Sequence, residues 1–402
     1  MGLNSTPSSE RIHIGIFGRR NSGKSSLINS ITGQDLAIVS EVLGTTTDPV
    51  YKSMELLPLG PVVIIDTPGL DDVGDLGRQR VEKGFQVLGK TDIAVVVIDS
   101  TEGRNEFDEE IIKILREKKI PFVTVYNKCD IGGSRHHGED MGPSINVSAE
   151  TKENINELKE MLARMVPQVT GERKLVADLL NPGDVVVLII PIDSAAPKGR
   201  LILPQQQVIR DILEAGACAM VIKEDRIEET LRSLTVKPKL VVTDSQVFEK
   251  VKMEIPEDIL LTSFSILFAR YKGSLSEAVK AAKILDSLED GDRVLVSEGC
   301  THHRQCDDIG TVKLPKWIIK HTGKAVQFEF TSGTGFKRDL SQYRMAVHCG
   351  GCMLNEREMK SRVDYAKGEG LPITNYGIAI AYMNGILERS IAPFPEFDGL
   401  LE

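Results

Sequence analysis

Apolar residues in this chain gather into short continuous runs, and the stretches between them carry a helical spacing. Ile12–Phe17, Val62–Ile65, Ile93–Ile98 and Phe122–Tyr126 are rich in β-branched residues and do not alternate with polar ones. Runs of that kind suit strands covered on both faces, as in a parallel sheet. Lys24–Ile31 has the helix pattern, and Asn154–Met165 reads as a closing amphipathic helix stopped by Pro167. Thr170–Asn181 reads as a polar connector. Beyond it, Val185–Ile190, Gln206–Ala215, Ala217–Ile222, Glu224–Leu234 and Leu240–Thr243 predict strand, helix, strand, helix, strand. A third unit starts near residue 265, with helices at Glu277–Leu288 and Pro315–His321 and strands at Arg293–Val296, Ala325–Thr331 and Met345–Val347. The expected architecture is α/β throughout. A first domain covers residues 10–168, and two smaller α/β domains with mainly parallel sheets follow over 175–262 and 265–402.

A chain of 402 residues exceeds one ordinary core, in keeping with several domains. Its 58 acidic residues outnumber 49 Lys plus Arg, giving a formal charge of −9 that argues against a nucleic-acid partner. No apolar run approaches the roughly 18 residues of a membrane span, and the N-terminus lacks a charged-then-apolar export pattern. A cytoplasmic protein with no membrane partner is expected. The six cysteines, Cys129, Cys218, Cys300, Cys306, Cys349 and Cys352, then favour metal binding over disulfides.

Chemistry concentrates at two places. Gly18-Arg19-Arg20-Asn21-Ser22-Gly23-Lys24-Ser25, followed by Ser26, fits the phosphate-binding loop G-x-x-x-x-G-K-[ST] between a strand and a helix. Its backbone N–H groups can cradle phosphates, with Lys24 reaching the outer ones and the Ser25 hydroxyl binding Mg²⁺. Asp66-Thr67-Pro68-Gly69 closes a strand, so Asp66 can hold the Mg²⁺ shell, directly or through water, and the Gly69 N–H can sense a γ-phosphate. Asn127-Lys128-Cys129-Asp130 follows another buried strand. Its carboxylate can accept both guanine N1–H and N2–H, and Ser148-Ala149 stands where the last base-contacting loop belongs. GTP is therefore the expected nucleotide.

These motifs look like those of the translation-factor-related GTPases. Gly44-Thr45-Thr46-Thr47-Asp48 resembles the G-T-T-R-D segment of the subgroup containing Era and the tRNA-modifying GTPase MnmE. That resemblance makes Thr46 the second Mg²⁺ hydroxyl, with Thr45 as runner-up, and Thr47 stands where the Arg would be. Leu70 occupies the place of the water-orienting Gln of Ras-like proteins. Asn21 matches the Asn with which potassium-activated members bind K⁺ beside the phosphates. Slow, K⁺-stimulated hydrolysis is the expectation, with the cation in the role of an arginine finger.

The second place is Cys300-Thr301-His302, answered 45 residues after His302 by His348-Cys349-Gly350-Gly351-Cys352. Zinc ribbons separate their ligand pairs by about 12–20 residues, so the long insert suggests a site assembled by a fold. Both groups follow apolar strands, and they can meet if those strands are neighbours in one sheet. Thiolates at Cys300, Cys349 and Cys352 suit iron–sulfur, zinc or copper(I). The candidates for a fourth ligand, or for supports of the other ligands, are His302, His348 and Glu298; His303 and Cys306 lie nearby.

Cys-x-His, the long gap and then His-Cys-x-x-Cys, behind a GTPase domain, is similar to the signature of the HydF family of [FeFe]-hydrogenase maturation GTPases. The resemblance covers the whole chain. It implies a middle domain that mediates homodimerisation and a C-terminal domain holding a 4Fe–4S cluster. It further implies a transient diiron precursor bearing CO and CN⁻, made with the radical SAM maturases HydE and HydG and delivered to the apo-hydrogenase HydA. The competing readings are an RNA- or ribosome-associated GTPase like Era or MnmE, and a GTPase with a structural zinc site.

Overall fold

Six strands build the first sheet: β1 (Ile12–Phe17), β2 (Val50–Leu56), β3 (Gly60–Asp66), β4 (Ile93–Asp99), β5 (Phe122–Asn127) and β6 (Ser144–Asn146). Their spatial order is β2-β3-β1-β4-β5-β6, and every pairing is parallel except β2 with β3. The computed structural model describes residues 6–33, 49–68, 87–131, 142–170, 175–192, 201–299, 308–333, 336–397 and 399–400. The chain divides into two units, Met1–Glu172 and Arg173–Glu402.

In the first unit β1, β4 and β5 are buried along their whole length, as their continuous apolar runs require. The helices Lys24–Thr32 and Ile155–Thr170 pack apolar residues such as Leu27, Ile31, Leu158 and Leu162 on one face. Ile111, Ile112 and Leu115 of the helix Glu106–Glu117 cover the other. Asn105 starts that last helix by accepting from Phe107 and Asp108 N–H, while the Asp108 carboxylate accepts the Asn105 N–H. One expectation fails here. The closing helix runs to Thr170 through Pro167. Proline forfeits its own bond to the carbonyl four residues back, but the amides after it can still bond to the carbonyls of the preceding turn.

Two four-stranded sheets, wholly parallel, form the second unit. One has the order β10-β9-β7-β8, from β7 (Val185–Ile189), β8 (Cys218–Ile222), β9 (Leu240–Thr243) and β10 (Leu260–Ser263). The other has the order β12-β11-β13-β14, from β11 (Arg293–Ser297), β12 (Gln327–Thr331), β13 (Met345–His348) and β14 (Ile373–Asn375). A single apolar core runs through both sheets and includes Val187, Val241, Phe264, Leu267, Val294, Val347 and Ile378. The helix Phe264–Tyr271 carries five buried residues of its eight, which places it inside that core. Residues 175–180 depart from the polar connector expected over Thr170–Asn181. Leu175, Val176 and Ala177 are buried, and the Asp211 carboxylate accepts from the Val176 and Ala177 N–H groups at 2.7 Å each.

Among the described residues no helix is long and apolar enough to cross a membrane.

Candidate nucleotide site and thiolate metal centre

The phosphate-binding loop leaves β1 and enters the helix Lys24–Thr32. Gly18 has φ +145°, and a Cβ there would stand 2.3 Å from the Val97 carbonyl oxygen, so only glycine lets the loop pass so close to β4. Gly23 has φ +87°, and its Cβ would stand 2.2 Å from the Asn127 amide nitrogen. Asn21 takes a left-handed φ of 59° and is exposed. The Lys24 ammonium donates to the Gly18 and Arg19 carbonyls at 2.8 and 2.6 Å, spanning the loop that is to hold phosphates.

Ser25 Oγ donates to Asp66 Oδ2 at 3.1 Å, which joins the two side chains assigned to Mg²⁺. Burial pushes the Asp66 carboxyl up, opposed by the Lys24 charge and the Ser25 hydroxyl. A divalent cation at that point would favour the ionised form that burial alone disfavours. Thr46 and Gly69, also assigned to this site, lie outside the described residues.

Asn127 ties three loops together. Its amide donates to the Ser22 carbonyl at 3.1 Å, and its Oδ1 accepts the Ala149 N–H at 3.0 Å. Lys128 donates to Asp99 Oδ2 at 2.6 Å. Burial raises the Asp99 carboxyl, but hydrogen bonds from Lys128 and Thr101 outweigh it and hold the group below the usual range. Asp130 is exposed in the 3-10 turn Cys129–Ile131 that follows β5, while Ser148 is buried and accepts the Thr151 N–H at 3.0 Å. Sequence reasoning passed over Asp99 and Arg19. Asp99 ends an apolar run like many strand-end carboxylates. Arg19 fills a variable loop position, yet it binds the Gly103 carbonyl at 2.6 Å and the Asp108 carboxylate at 3.3 Å.

In the second unit the two Cys-His segments leave neighbouring strands. β11 pairs with β13 in parallel, placing Ser297 beside His348. The turn after β13 therefore meets the chain after β11, and the Gly299 N–H donates to Cys349 Sγ at 3.1 Å. Gly351, at φ +60°, donates a second N–H to the same sulfur at 3.4 Å. Burial pushes both thiols up. Those two N–H groups pull Cys349 back down, and the Lys272 charge does so for Cys352. Two half-buried cysteines, one already receiving backbone N–H bonds, form a soft donor set that fits iron–sulfur or zinc and not a hard cation. Cys300, His302, His303 and Cys306 lie outside the described residues. Among the described residues no three His, Cys, Asp or Glu side chains converge as a metal site.

His348 is fully buried, and both ring nitrogens are engaged. Nδ1 lies 2.7 Å from the Cys349 carbonyl and Nε2 lies 2.9 Å from Arg362 Nη1. Arg362 can only donate, so Nε2 is the acceptor and Nδ1 carries the proton. Burial and the Arg362 charge depress the imidazole to about 3. Arg362 also binds the Gly333 carbonyl at 2.9 Å and Glu358 at 2.8 Å, one helical turn away. Glu298 is buried at the end of β11, with Tyr376 Oη 3.4 Å from its carboxylate. Burial, with Glu298 and Cys349 close by, raises the Tyr376 phenol. Lys272 is buried behind the Cys349–Cys352 turn, where burial lowers its ammonium to about 8.

Comparison with known proteins covers nearly the whole chain. Residues 175–273 match the model of the hydrogen maturase F dimerization domain, and residues 276–393 match that of the hydrogen maturase F tetramerization domain. Residues 13–128 match the model of a 50S ribosome-binding GTPase. The tRNA modification GTPase MnmE of Dechloromonas aromatica is 33% identical over 157 residues, 38% of this chain and 35% of that relative. MnmE of Chromobacterium violaceum is 35% identical over 160 residues, 39% of this chain and again 35% of the relative. The chain thus spans about a third of the length of these curated relatives. A solved structure of a point variant of Aquifex aeolicus Era, bound to GDP and AlF4⁻, is 21% identical, covering 60% of this chain and 97% of its own, with a TM-score of 0.35.

Proposed function

Because the chain belongs to the hydrogen maturase F family, we propose that it is a hydrogenase-maturation GTPase whose second unit is a scaffold for a metallocluster. GTP binds the first unit, with Lys24 on the outer phosphates, Ser25 and Asp66 on Mg²⁺ and Asp130 on the guanine edge. By family resemblance Thr46 supplies the second Mg²⁺ hydroxyl and Gly69 the γ-phosphate contact. Hydrolysis is slow because Leu70 cannot orient a water. It is stimulated by K⁺ at Asn21, whose side chain the loop leaves exposed.

Cys300, Cys349 and Cys352 hold a 4Fe–4S cluster. The observation that carries this reading is the direct pairing of β11 with β13, which sets Gly299 against the Cys349 sulfur. A three-thiolate cluster supplies one iron whose remaining ligand can exchange, which suits a diiron CO/CN⁻ cargo that must be held and then released. Glu298 and His302 are the candidates for that remaining position. His348 supports the turn, because ligation would break one of its two internal hydrogen bonds. HydE and HydG build the cargo and apo-HydA receives it. The middle domain forms a homodimer, in keeping with the dimerization-domain model it matches. Nucleotide acts only through different affinities for two states of the protein or its partners.

The test is anaerobic reconstitution of the full chain and of Cys300→Ser, Cys349→Ser and Cys352→Ser. Iron, zinc, GTP hydrolysis in K⁺ and in Na⁺, and hydrogenase activation are then measured. Each serine variant should lose iron and activation while hydrolysing GTP at close to the parent rate. Stoichiometric zinc without iron would end the scaffold reading, and equal rates in K⁺ and Na⁺ would end the potassium assignment.

A further inference from the structure

Lys272 follows the helix Phe264–Tyr271 and is only 5% exposed. Its ammonium donates to the carbonyl of Gly351 and, at 3.1 Å, to that of Leu354. Both carbonyls belong to the turn that carries Cys349 and Cys352. The face of Phe268 lies 5.9 Å away on another side. Among the described residues no carboxylate comes within ion-pair distance of it. A buried ammonium that lacks a carboxylate is expensive to desolvate, so a fold that keeps one needs an anion for it. The turn it grips carries Cys349 and Cys352, whose sulfurs become thiolates when they bind a metal. Arg362, another buried cation of this region, already has Glu358 as its partner. Among the described residues Lys272 is therefore a positive charge of the turn that no carboxylate matches.

We propose that Lys272 is a positioning residue of the iron–sulfur site: it pins the Cys349–Cys352 turn through two backbone carbonyls and places a fixed positive charge beside the thiolates, favouring the reduced, more negative state of a cluster held there. The inference rests on the cluster reading above and adds a determinant of its reduction potential. Reduction adds one electron from an external low-potential donor, dithionite in the test, and no bond forms or breaks. A uniform positive charge near the site stabilises the state carrying the extra electron. The turn's backbone N–H groups act in the same direction.

The test compares reconstituted wild type, Lys272→Met and Lys272→Arg as full-length protein, with far-UV circular dichroism to confirm folding. Iron and sulfide per chain are measured, and the midpoint is followed by electron paramagnetic resonance in a dithionite titration. Lys272→Met should shift the one-electron reduction equilibrium toward the oxidised cluster by about tenfold or more, which is about 59 mV for a single electron. Lys272→Arg should stay within about threefold of wild type, since it keeps the charge. If Lys272→Met cannot hold iron, retention by Lys272→Arg supports the proposal and loss by both overturns it. A loaded Lys272→Met with an unshifted midpoint overturns it, as does a Lys272→Arg shifted equally far. Wild type that takes up no iron refutes the cluster reading itself, and the lysine's role with it.

Discussion

Arg362→Met removes every donor of one buried guanidinium while leaving much of its apolar stem in place. In the wild type Arg362 is 4% exposed and serves His348, Gly333 and Glu358 together. Without it the Glu358 carboxylate stays buried without that cation, and breaking such a pair costs about 3–5 kcal/mol. His348 Nε2 and the Gly333 carbonyl each lose a donor, worth about 1–3 kcal/mol apiece if no water replaces it. These losses share one network and do not add, so about 3 kcal/mol is the floor. For a unit of this size that lowers Tm by about 6–12 °C. The assay is urea and thermal unfolding of the full chain, repeated with Glu358→Gln and the double variant. The double variant should be less destabilised than the sum of the singles, because it removes the stranded charge. A cost below about 1 kcal/mol, or strict additivity, would mean that water reaches this network and that the buried geometry around His348 has been misread.

Three further outcomes concern the nucleotide unit. Gly23→Ala puts a Cβ 2.2 Å from the Asn127 amide at φ +87°, a strain of about 1–3 kcal/mol; fluorescent GDP titration should show affinity down by about tenfold, and wild-type affinity would contradict the close approach. Asp99→Asn should cost about 1–3 kcal/mol at neutral pH through the bond to Lys128. The folded carboxyl sits below its unfolded value, so the unfolded chain takes up the proton first as pH falls. The stabilisation is thus present above about pH 4 and lost as pH drops through the folded value. Denaturation midpoints should therefore converge for the two proteins in acid, and a constant gap would refute the linkage. Ser25→Ala removes the hydroxyl bonded to Asp66 and should cut GTP hydrolysis at fixed Mg²⁺ by about tenfold or more, measured as phosphate release; an unchanged Mg²⁺ dependence would remove Ser25 from the metal site.

The parallel strands were legible because burial on both faces makes their sequences continuously apolar, and β1, β4, β5, β7, β11 and β13 all fall on runs visible in the chain. β2 was not. It is the antiparallel edge of its sheet, and Val50–Leu56 is mostly exposed, so its residues carry no demand for an apolar run. β6 and β14, at three residues each, are too short to show a period. The sequence shows the two sheets of the second unit only one after the other, because strand patterns report local burial. That Val187 and Val347 belong to one core depends on long-range packing, which periodicity does not encode.

The candidate metal centre divides in the same way. That the strands ahead of the two Cys-His groups are neighbours could be anticipated, and the register of β11 on β13 brings the Gly299 N–H to the Cys349 sulfur. The division of labour inside His-Cys-x-x-Cys could not. Spacing shows a histidine next to a cysteine and is silent on whether the ring faces a metal or the protein behind it. The partners that decide the matter, Arg362 and Glu358, lie on a helix whose i, i+4 pair looks in sequence like an ordinary surface ion pair. Once that pair is seen to be buried, the histidine follows. An arginine held to Glu358 points its remaining donor at Nε2, Nε2 must accept, and Nδ1 must give its proton to the Cys349 carbonyl. Turning the ring toward a metal would strand the guanidinium donor in a site with no measurable exposure at the histidine. The same logic separates Arg362 from Lys272. Among the described residues one buried cation has a carboxylate beside it and so serves the scaffold, while the other is held by carbonyls and an aromatic face, which leaves its charge for the thiolates of the proposed cluster.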